Sequence, residues 1–284
     1  MLQSIKRLLS GRQPTEEMSQ DAASLIRSAL MDRVLAQRPV LCNLGCGTKH
    51  HPEWINIDFL GDRNAVFPWD LRQGLPLPNA CCDAVYSSHA IEHFDRTGAR
   101  RFLAECHRVL KPGGILRLVT PDLEGIARSY LQCLEAAQRG EQGAAARYEW
   151  MVVELLDQLV RHESGGEMLK LWCRPELPAE DFIAQRVGTE YWRARQHCKG
   201  RSISEAAPTD AQAVGRFRLG GEAHQWMYDR YSLGRLLAES GLSSIRVCQA
   251  TDSSIKDFAN YGLDTEPDGS VYKPDSFFME AIVT

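Results

Sequence analysis

The chain has 284 residues, of which 44% are hydrophobic and 25% are charged, and this composition is typical of a folded globular protein. Its formal net charge of −4 leaves no basic surplus for a phosphate backbone, so we do not expect nucleic acid as a partner. The apolar runs are shorter than the roughly 18 residues of a transmembrane helix, and the start of the chain does not resemble a signal peptide. We therefore expect a cytoplasmic protein.

Helical patterns open the chain. Residues 1–9 could form a short amphipathic helix with Lys6 and Arg7 on its polar side, which would permit a weak peripheral contact with a membrane. Packing of this segment on its own domain is the favoured interpretation. Apolar residues recur at helical spacing between 21 and 37. Residues 1–38 are thus predicted to form an N-terminal helical segment.

Seven short apolar runs predict the strands of a sheet. A helical pattern over 97–110 separates the fourth and fifth runs, and this order predicts a parallel sheet with right-handed crossovers. A second helix, with Ser232 as its N-cap, should end at Gly241. We expect an α/β fold with a Rossmann-like, seven-stranded, mostly parallel sheet flanked by helices. The predicted strands cover residues 40–44, 54–57, 64–67, 84–87, 114–119, 245–249 and 277–283.

The middle of the chain contributes no predicted strand. Residues 121–230 instead show helical spacing of apolar residues, for example between Tyr148 and Leu159. We interpret 121–230 as a helical insertion between strand 5 and the last helix. It would act as an acceptor-binding lid, that is, as a cover over the site of a second substrate. Within it, residues 200–221 are rich in small and turn-forming residues and are predicted to form a loop. The flanking segments 39–120 and 231–284 should form the Rossmann-like domain.

The nine cysteines are an odd number and show no paired C-x-x-C motif. We interpret all nine as reduced thiols. Their spacing does not match that of a structural zinc site, so no structural metal is predicted.

A glycine-rich turn, Leu44-Gly45-Cys46-Gly47, follows the first predicted strand. Glycines at this position let the backbone turn tightly and approach a ligand closely. Asp58, at the end of the second strand, could accept hydrogen bonds from both ribose hydroxyls, and Asp70, after the third, could accept one from an adenine amine. Each feature alone also fits a turn or a helix cap. Their combination at the carboxyl ends of parallel strands favours a nucleoside site.

The length of the next segment indicates which nucleoside binds. A dinucleotide site usually has a third glycine and a helix N-terminus at the pyrophosphate, but His50 occupies that glycine's position. Residues 48–53 are too few for a helix and its turns. This argues against NAD, so an NAD-dependent dehydrogenase is a distant alternative. The uncharged linkage of S-adenosylmethionine fits this short segment better than the pyrophosphate of NAD does.

Taken together, these segments resemble the class I S-adenosylmethionine-dependent methyltransferases, and among them the predicted bacterial methyltransferases associated with glycan biosynthesis. The similarity is close over residues 40–120 and looser over the last part of the chain. The resemblance implies that 39–120 and 231–284 bind S-adenosylmethionine. It rests on residues 41–47, 54–58, 83–94, 105–114 and 226–233. The implied cofactor-binding residues are Leu44, Gly45, Cys46, Gly47, Asp58, Phe59, Asp70, Leu71, Ser88 and His89.

Three candidate catalytic residues, His89, Glu92 and His93, follow the fourth strand, where the transferable methyl should lie. In one helical turn they would share a face. One interpretation is structural packing against the neighbouring helix. A second makes His89 or His93 the general base that methylation of a hydroxyl requires. A divalent metal held by the three residues is a third, less favoured alternative.

The second cluster consists of His224, Trp226, Tyr228 and Asp229, which precede the last helix. These residues could bind a sugar through aromatic faces and hydrogen bonds, or they could anchor the insertion to the sheet. The leading hypothesis is O-methylation of a saccharide or glycan precursor. The alternatives are a methyltransferase for a small aromatic or polyketide-like metabolite, and a non-catalytic S-adenosylmethionine-binding partner subunit. A mostly apolar acceptor site would favour the metabolite, and convergent polar groups would favour the sugar.

Overall fold

The computed structural model describes residues 16–62, 64–198 and 210–284. The predicted amphipathic helix over 1–9 lies outside these residues. The sheet has seven strands, as expected, in the order β3-β2-β1-β4-β5-β7-β6. Strands β1 to β5 pair in parallel, and β7 runs antiparallel between β5 and β6. The strands are β1 (Leu41–Leu44), β2 (Ile55–Asp58), β3 (Phe67–Pro68), β4 (Cys82–Ser88), β5 (Leu110–Pro121), β6 (Leu242–Cys248) and β7 (Ser276–Val283).

Strand β3 is shorter than predicted and begins three residues later than the apolar run over 64–67. The reason is local, because Asp62 Oδ1 accepts hydrogen bonds from the backbone amides of Asn64, Ala65 and Val66 at 3.0 to 3.1 Å. These amides are held in a turn and cannot join the sheet.

Helices pack on one face of the sheet, residues 250–263 cover the other face, and further helices form a separate layer after β5. Within the described residues, the helices are α1 (Glu16–Leu35), α2 (Arg96–Val109), α3 (Leu123–Gln138), α4 (Ala144–Val160), α5 (Gly166–Trp172), α6 (Glu180–Val187), α7 (Thr189–Cys198), α8 (Ala211–Leu219) and α9 (Arg230–Glu239). Short 3-10 turns occur at Leu71–Gln73, Ile91–His93 and Phe258–Tyr261. Among these helices, none is long and apolar enough to span a membrane.

The predicted helix after β5 and before β6 begins earlier than expected. Its N-cap is Asp229 and not Ser232, which lies in the first turn of α9. Asp229 Oδ1 accepts hydrogen bonds from the amides of Tyr231 and Ser232, and Ser232 Oγ accepts one from the amide of Asp229. This reciprocal capping box satisfies the free amides of the helix start better than Ser232 alone could.

Residues 121–230 contain helices α3 to α8, as the sequence predicts. Their buried residues, including Ile126, Trp150, Met151 and Tyr191, form a hydrophobic cluster separate from that of the sheet. The prediction of a loop over 200–221 was wrong in part. Residues 211–219 form α8, whose first amides bond to the Asp210 carboxylate. The assignment of this layer as a lid stays a prediction.

The expectation of nine reduced thiols was wrong. Cys173 and Cys198 form a disulfide with their Cα atoms 4.9 Å apart. The two residues follow α5 and end α7, and packing of these helices brings them together across 25 positions of sequence. That spacing matches no local motif, so the pairing depends on the tertiary structure. The other seven cysteines are free.

A buried guanidinium ties the sheet to the loops after β6. Arg117 in β5 is fully buried, and its Nε donates to Asp264 Oδ2 at 2.8 Å while its Nη1 donates to Glu280 Oε1 at 2.9 Å. Tyr86 Oη in β4 donates to the other oxygen of Asp264 at 2.5 Å. The backbone carbonyls of Gln249 and Asp252 accept the remaining Arg117 hydrogen bonds. One cation thus connects β4, β5, β7 and the segment 249–264.

We predict that Arg117→Leu will lower the free energy of unfolding by about 3–5 kcal/mol, because it removes the guanidinium from the buried carboxylates of Asp264 and Glu280, of which only Glu280 keeps a second cation, Arg246. Arg128→Ala, which removes an exposed ion pair with Glu124, is the matched control and should change stability far less. Urea unfolding of both variants measures the difference. Equal stability of the two variants would show that the buried network is not a main support of the sheet.

Candidate functional site

A cavity of about 980 Å³ opens at the carboxyl ends of the parallel strands, between the sheet and the helical layer. Strands β1 and β4 are neighbours in the sheet, although β2 and β3 lie between them in the chain. Such a reversal of strand order leaves a crevice at which open α/β sheets bind ligands. Gly45, Asp58 and Ser88 line the sheet side of the cavity, and Arg161 and His224 line the opposite side.

The glycine turn takes a conformation that few other residues adopt. Gly45 has φ +69°, and a Cβ atom at this position would lie 2.8 Å from the Cβ of Ala90. The amides of Gly45 and Cys46 both donate to the carbonyl of Ile57, which fastens the turn to β2. No helix occurs between β1 and β2, as the short spacing predicts. The backbone at 45–47 therefore faces the cavity directly.

Leu44 differs from the other predicted cofactor-binding residues. Its side chain is fully buried in the core beneath the sheet, and it is not part of the cavity wall. Its carbonyl accepts a hydrogen bond from Ser87 Oγ at 2.8 Å. Leu44 thus positions the turn without facing the cavity. The remaining members of the predicted set line the wall: Gly45, Cys46, Gly47, Asp58, Phe59, Asp70, Leu71, Ser88 and His89.

The two predicted carboxylates stand at the ends of β2 and β3 and already bind groups of the protein. Asp58 accepts hydrogen bonds from the amides of Gly47 at 2.8 Å and Leu60 at 3.0 Å. Asp70 caps the 3-10 turn at 71–73 and forms an ion pair with Arg72 at 2.8 Å. Both carboxylates line the cavity. Asp58 accepts one hydrogen bond on each oxygen and has further lone pairs available for a ligand, whereas both oxygens of Asp70 already bind Arg72.

His89 occupies a strained position immediately after β4. Its φ of +51° is unusual for a residue with a side chain, and such strain is concentrated at functional sites. The ring lies between two partners, with Nδ1 3.3 Å from Glu92 Oε1 and Nε2 2.7 Å from Ser276 Oγ. Burial lowers the pKa of His89 well below its usual value, so the imidazole is neutral at physiological pH.

Glu92 is fully buried behind His89 in the 3-10 turn at 91–93. Thr120 Oγ1 donates to its Oε2 at 3.2 Å, whereas its Oε1 accepts no hydrogen bond. Desolvation raises the pKa of Glu92 to about 7. The backbone carbonyl of Glu92 accepts hydrogen bonds from the amides of Gln225 and Trp226, which ties the helical layer to the end of β4.

His93 and His224 meet edge to face, with ring centroids 4.8 Å apart, although they lie far apart in the sequence. Burial lowers the pKa of His93 to about 4 and that of His224 well below its ordinary value. His93 Nδ1 is buried and has no hydrogen-bond partner. The structure thus adds His224 to the predicted cluster of His89, Glu92 and His93. The sequence could not indicate this contact, because His224 lies far from the other three residues in the chain.

Of the four predicted acceptor-binding residues, only His224 lines the cavity. Asp229 caps α9, so its carboxylate is directed at backbone amides and not at a ligand. Tyr228 packs in the core beneath the sheet, and Trp226 is exposed next to the Arg96 guanidinium. The predictions for Trp226, Tyr228 and Asp229 as sugar-binding residues are therefore not supported by their positions. The backbone carbonyl of Tyr228 accepts a hydrogen bond from the amide of Leu123 at the start of α3.

Sequence reasoning missed a group of charged residues in the wall of the cavity. The Arg161 side chain is 1% exposed and pairs with Asp157, yet its Nε and Nη1 atoms have no hydrogen-bond partner. Lys273 Nζ donates to Glu190 Oε2 at 2.9 Å. Desolvation raises the pKa of Asp275 to about 7. No motif marks these residues, because their burial arises only when the helical layer packs on the sheet.

The sequence comparisons cover a limited part of the chain. Residues 62–118 match the family described as "Methyltransferase domain". A protein of Mycolicibacterium smegmatis named "Probable S-adenosylmethionine-dependent methyltransferase" is 43% identical over 58 residues, which are 19% of this chain and 21% of that protein. The chain thus matches about a fifth of the length of this curated relative.

Among solved structures, a SAM-dependent methyltransferase from Archaeoglobus fulgidus aligns over 92% of this chain and 94% of its own, with 12% identity and a TM-score of 0.38. One from Mesorhizobium loti aligns over 88% and 96%, with 15% identity and a TM-score of 0.34. These low values carry no inference about activity. The matched family segment, in contrast, contains Asp70, Ser88 and His89 of the cavity wall, and this part of the chain is similar to methyltransferase domains.

Proposed function

We propose that this protein is an S-adenosylmethionine-dependent methyltransferase that methylates a hydroxyl group of a saccharide or glycan precursor. One observation carries the proposal. The glycine turn at 45–47 and the carboxylates of Asp58 and Asp70 open on the same cavity as the buried pair of His89 and Glu92. The match of residues 62–118 to methyltransferase domains supports it.

The residues present fit this cofactor. A cavity of about 980 Å³ is at the upper end of ordinary ligand pockets and leaves space for a nucleoside and a second molecule. Because Gly45 has no Cβ, the backbone of the turn can lie close to the Ala90 side chain. Asp58 would accept hydrogen bonds from the ribose, and Asp70 with Leu71 would border the adenine. When bound, S-adenosylmethionine supplies a methyl group on a cationic sulfur.

His89 is the residue best placed to accept the proton of an acceptor hydroxyl. Its Nδ1 faces the Glu92 carboxylate, which favours Nε2 as the basic nitrogen. Ser276 Oγ now lies beside Nε2, but it also lies 3.2 Å from Asp275 Oδ1, a second partner to which it can donate. An acceptor hydroxyl could therefore replace Ser276 at Nε2. Burial lowers the pKa of His89, so the imidazole is neutral and has a free lone pair.

The acceptor side of the cavity combines apolar side chains with several charged groups, and the charged groups support a saccharide. Arg161 has two buried nitrogen atoms, Nε and Nη1, that donate no hydrogen bond, although Nη1 lies 3.5 Å from Glu222 Oε1. Oxygen atoms of a sugar would satisfy them. Glu190, Lys273 and Asp275 add further polar groups to the wall. Two buried aromatic side chains, Trp172 and Tyr272, also line it. Burying a mainly apolar metabolite against these charges would cost free energy.

A test of the cofactor site uses Asp58. Asp58→Ala should weaken binding of S-adenosylhomocysteine, the demethylated product, by about 30-fold or more, since roughly 2–4 kcal/mol of charge-assisted hydrogen bonding is lost. Calorimetry measures the dissociation constant. Asp62→Ala is the matched control, because Asp62 organises the same loop through three backbone amides but does not line the cavity.

Binding by Asp62→Ala should stay within about threefold of the native protein. If Asp58→Ala folds normally and binds the nucleoside as tightly as the native protein, Asp58 is only a turn residue. Saturable binding of NAD, with no response to either methionine nucleoside, would refute the proposed function.

The proposed base is tested with His89→Asn, because asparagine tolerates positive φ better than other replacements. This variant should keep its affinity for S-adenosylhomocysteine and lose about 100-fold or more in turnover. Ser276→Ala should lose much less, since Ser276 only shares Nε2. Turnover by His89→Asn close to that of the native protein would remove His89 from the mechanism.

The acceptor class is tested with methyl-labelled cofactor and two panels of acceptors, one of free and nucleotide-linked sugars and the other of phenolic and polyketide-like alcohols. We expect the label in the sugar panel, because the wall of the cavity carries unpaired polar groups. Label confined to the second panel would favour the metabolite alternative. Tight cofactor binding without transfer to either panel or to extracts of the source cell would favour a non-catalytic subunit.

A further inference from the structure

We propose that Glu92, His93 and His224 form a binding site for one divalent transition-metal ion at the wall of the cavity. One ligand atom from each of the three residues lies within 4.8 Å of the others. The set differs from the combination of His89, Glu92 and His93 that the sequence suggests. It does not depend on the proposed methyl transfer, since metal binding can be measured directly.

The cluster has the chemistry of a metal site. Two imidazoles and one carboxylate suit borderline ions such as Zn²⁺, Fe²⁺, Co²⁺ and Mn²⁺, whereas Mg²⁺ prefers oxygen ligands. Glu92 Oε1 and His93 Nδ1 are buried and accept no hydrogen bond, although His89 Nδ1 lies 3.3 Å from Glu92 Oε1. A buried polar atom without a partner costs free energy, and coordination of an ion by both atoms would remove that cost.

Hydrogen bonds with neighbouring groups orient the three residues. Such bonds are usual for the side chains that bind a metal ion. Thr120 Oγ1 donates to Glu92 Oε2 and so leaves Oε1 for the ion. The backbone carbonyls of Gly221 and Ala223 favour an N–H on the His93 ring, which directs the lone pair to Nδ1. The His224 amide donates to the carbonyl of Gln158, which anchors this residue to α4.

The backbone brings the ligands together before any ion binds. The amides of Gln225 and Trp226 donate to the carbonyl of Glu92, so the segment that carries His224 is fastened to the turn that carries the other two ligands. An ion bound at about 2.0–2.2 Å requires the most separated ligand atoms to approach by roughly 1 Å, which side-chain rotation can provide.

Three protein ligands leave coordination positions open. His93 and His224 line the cavity, whereas Glu92 lies behind them. An ion held by these residues would lie at the wall of the cavity, where it could bind an acceptor oxygen and lower the pKa of its hydroxyl.

The test is titration of chelator-treated full-length protein with Co²⁺, Zn²⁺ and Mg²⁺. We expect one equivalent of Co²⁺ or Zn²⁺ to bind and Mg²⁺ not to bind at comparable concentration. Bound Co²⁺ should show visible absorption, and X-ray absorption of the Zn²⁺ form should show two imidazole ligands. Because these measurements use the native sequence, they do not depend on the folding of a variant.

Variants then identify the ligands. His224→Gln and Glu92→Gln should each weaken Co²⁺ binding by at least about tenfold. His89→Asn, at a residue in contact with the cluster, and His107→Gln, at a histidine next to Gly241, should bind Co²⁺ within about threefold of the native protein. Absence of stoichiometric binding by the native protein, or loss of binding in His89→Asn but not in His224→Gln, would overturn the proposal.

Discussion

The fold depends on the burial of one cation, the Arg117 guanidinium, in the middle of the sheet. A buried charge is tolerated only when its hydrogen bonds are satisfied, and here Asp264, Glu280 and two backbone carbonyls provide them. This requirement sets the register of β5 against the antiparallel β7, in which Arg117 lies opposite Glu280. It also draws the 249–264 segment onto the face that carries Tyr86. Strands β4 and β5 pair in parallel, so both end at the same edge of the sheet, where the cavity opens.

At that edge a second buried acid, Glu92, joins the sheet to the helical layer. Its carbonyl binds the segment that carries His224, and its carboxylate contacts His89 and Thr120. The end of β4 therefore takes part in both proposed activities of the site. His89 is the candidate base, and His93 and His224 are candidate metal ligands. Both roles involve Glu92 Oε1, which lies 3.3 Å from His89 Nδ1, and the two lone pairs of this oxygen allow both contacts.

The two sides of the cavity differ in character. Near β1 the wall includes the backbone of the glycine turn, which suits the close passage of a nucleoside. The acceptor side carries paired charges, including Lys273 with Glu190 and Arg161 with Asp157. Such pairs hold polar groups in place inside a low-dielectric site, and this favours an acceptor with many hydroxyl groups. The disulfide between Cys173 and Cys198 braces the helices behind this wall.

The sequence by itself determined the strands, the glycine turn and the carboxylates at Asp58 and Asp70, because these follow from apolar runs and the residues that end them. It also indicated the pair of His89 and Glu92, which lie close in the chain. Tertiary structure alone decided that His224 joins them, that Asp229 caps a helix, and that Cys173 bonds to Cys198. It also decided that Trp226 and Tyr228 face away from the cavity. Local patterns predict contacts between neighbours in sequence, whereas these outcomes depend on how the helices of 121–230 pack on the sheet.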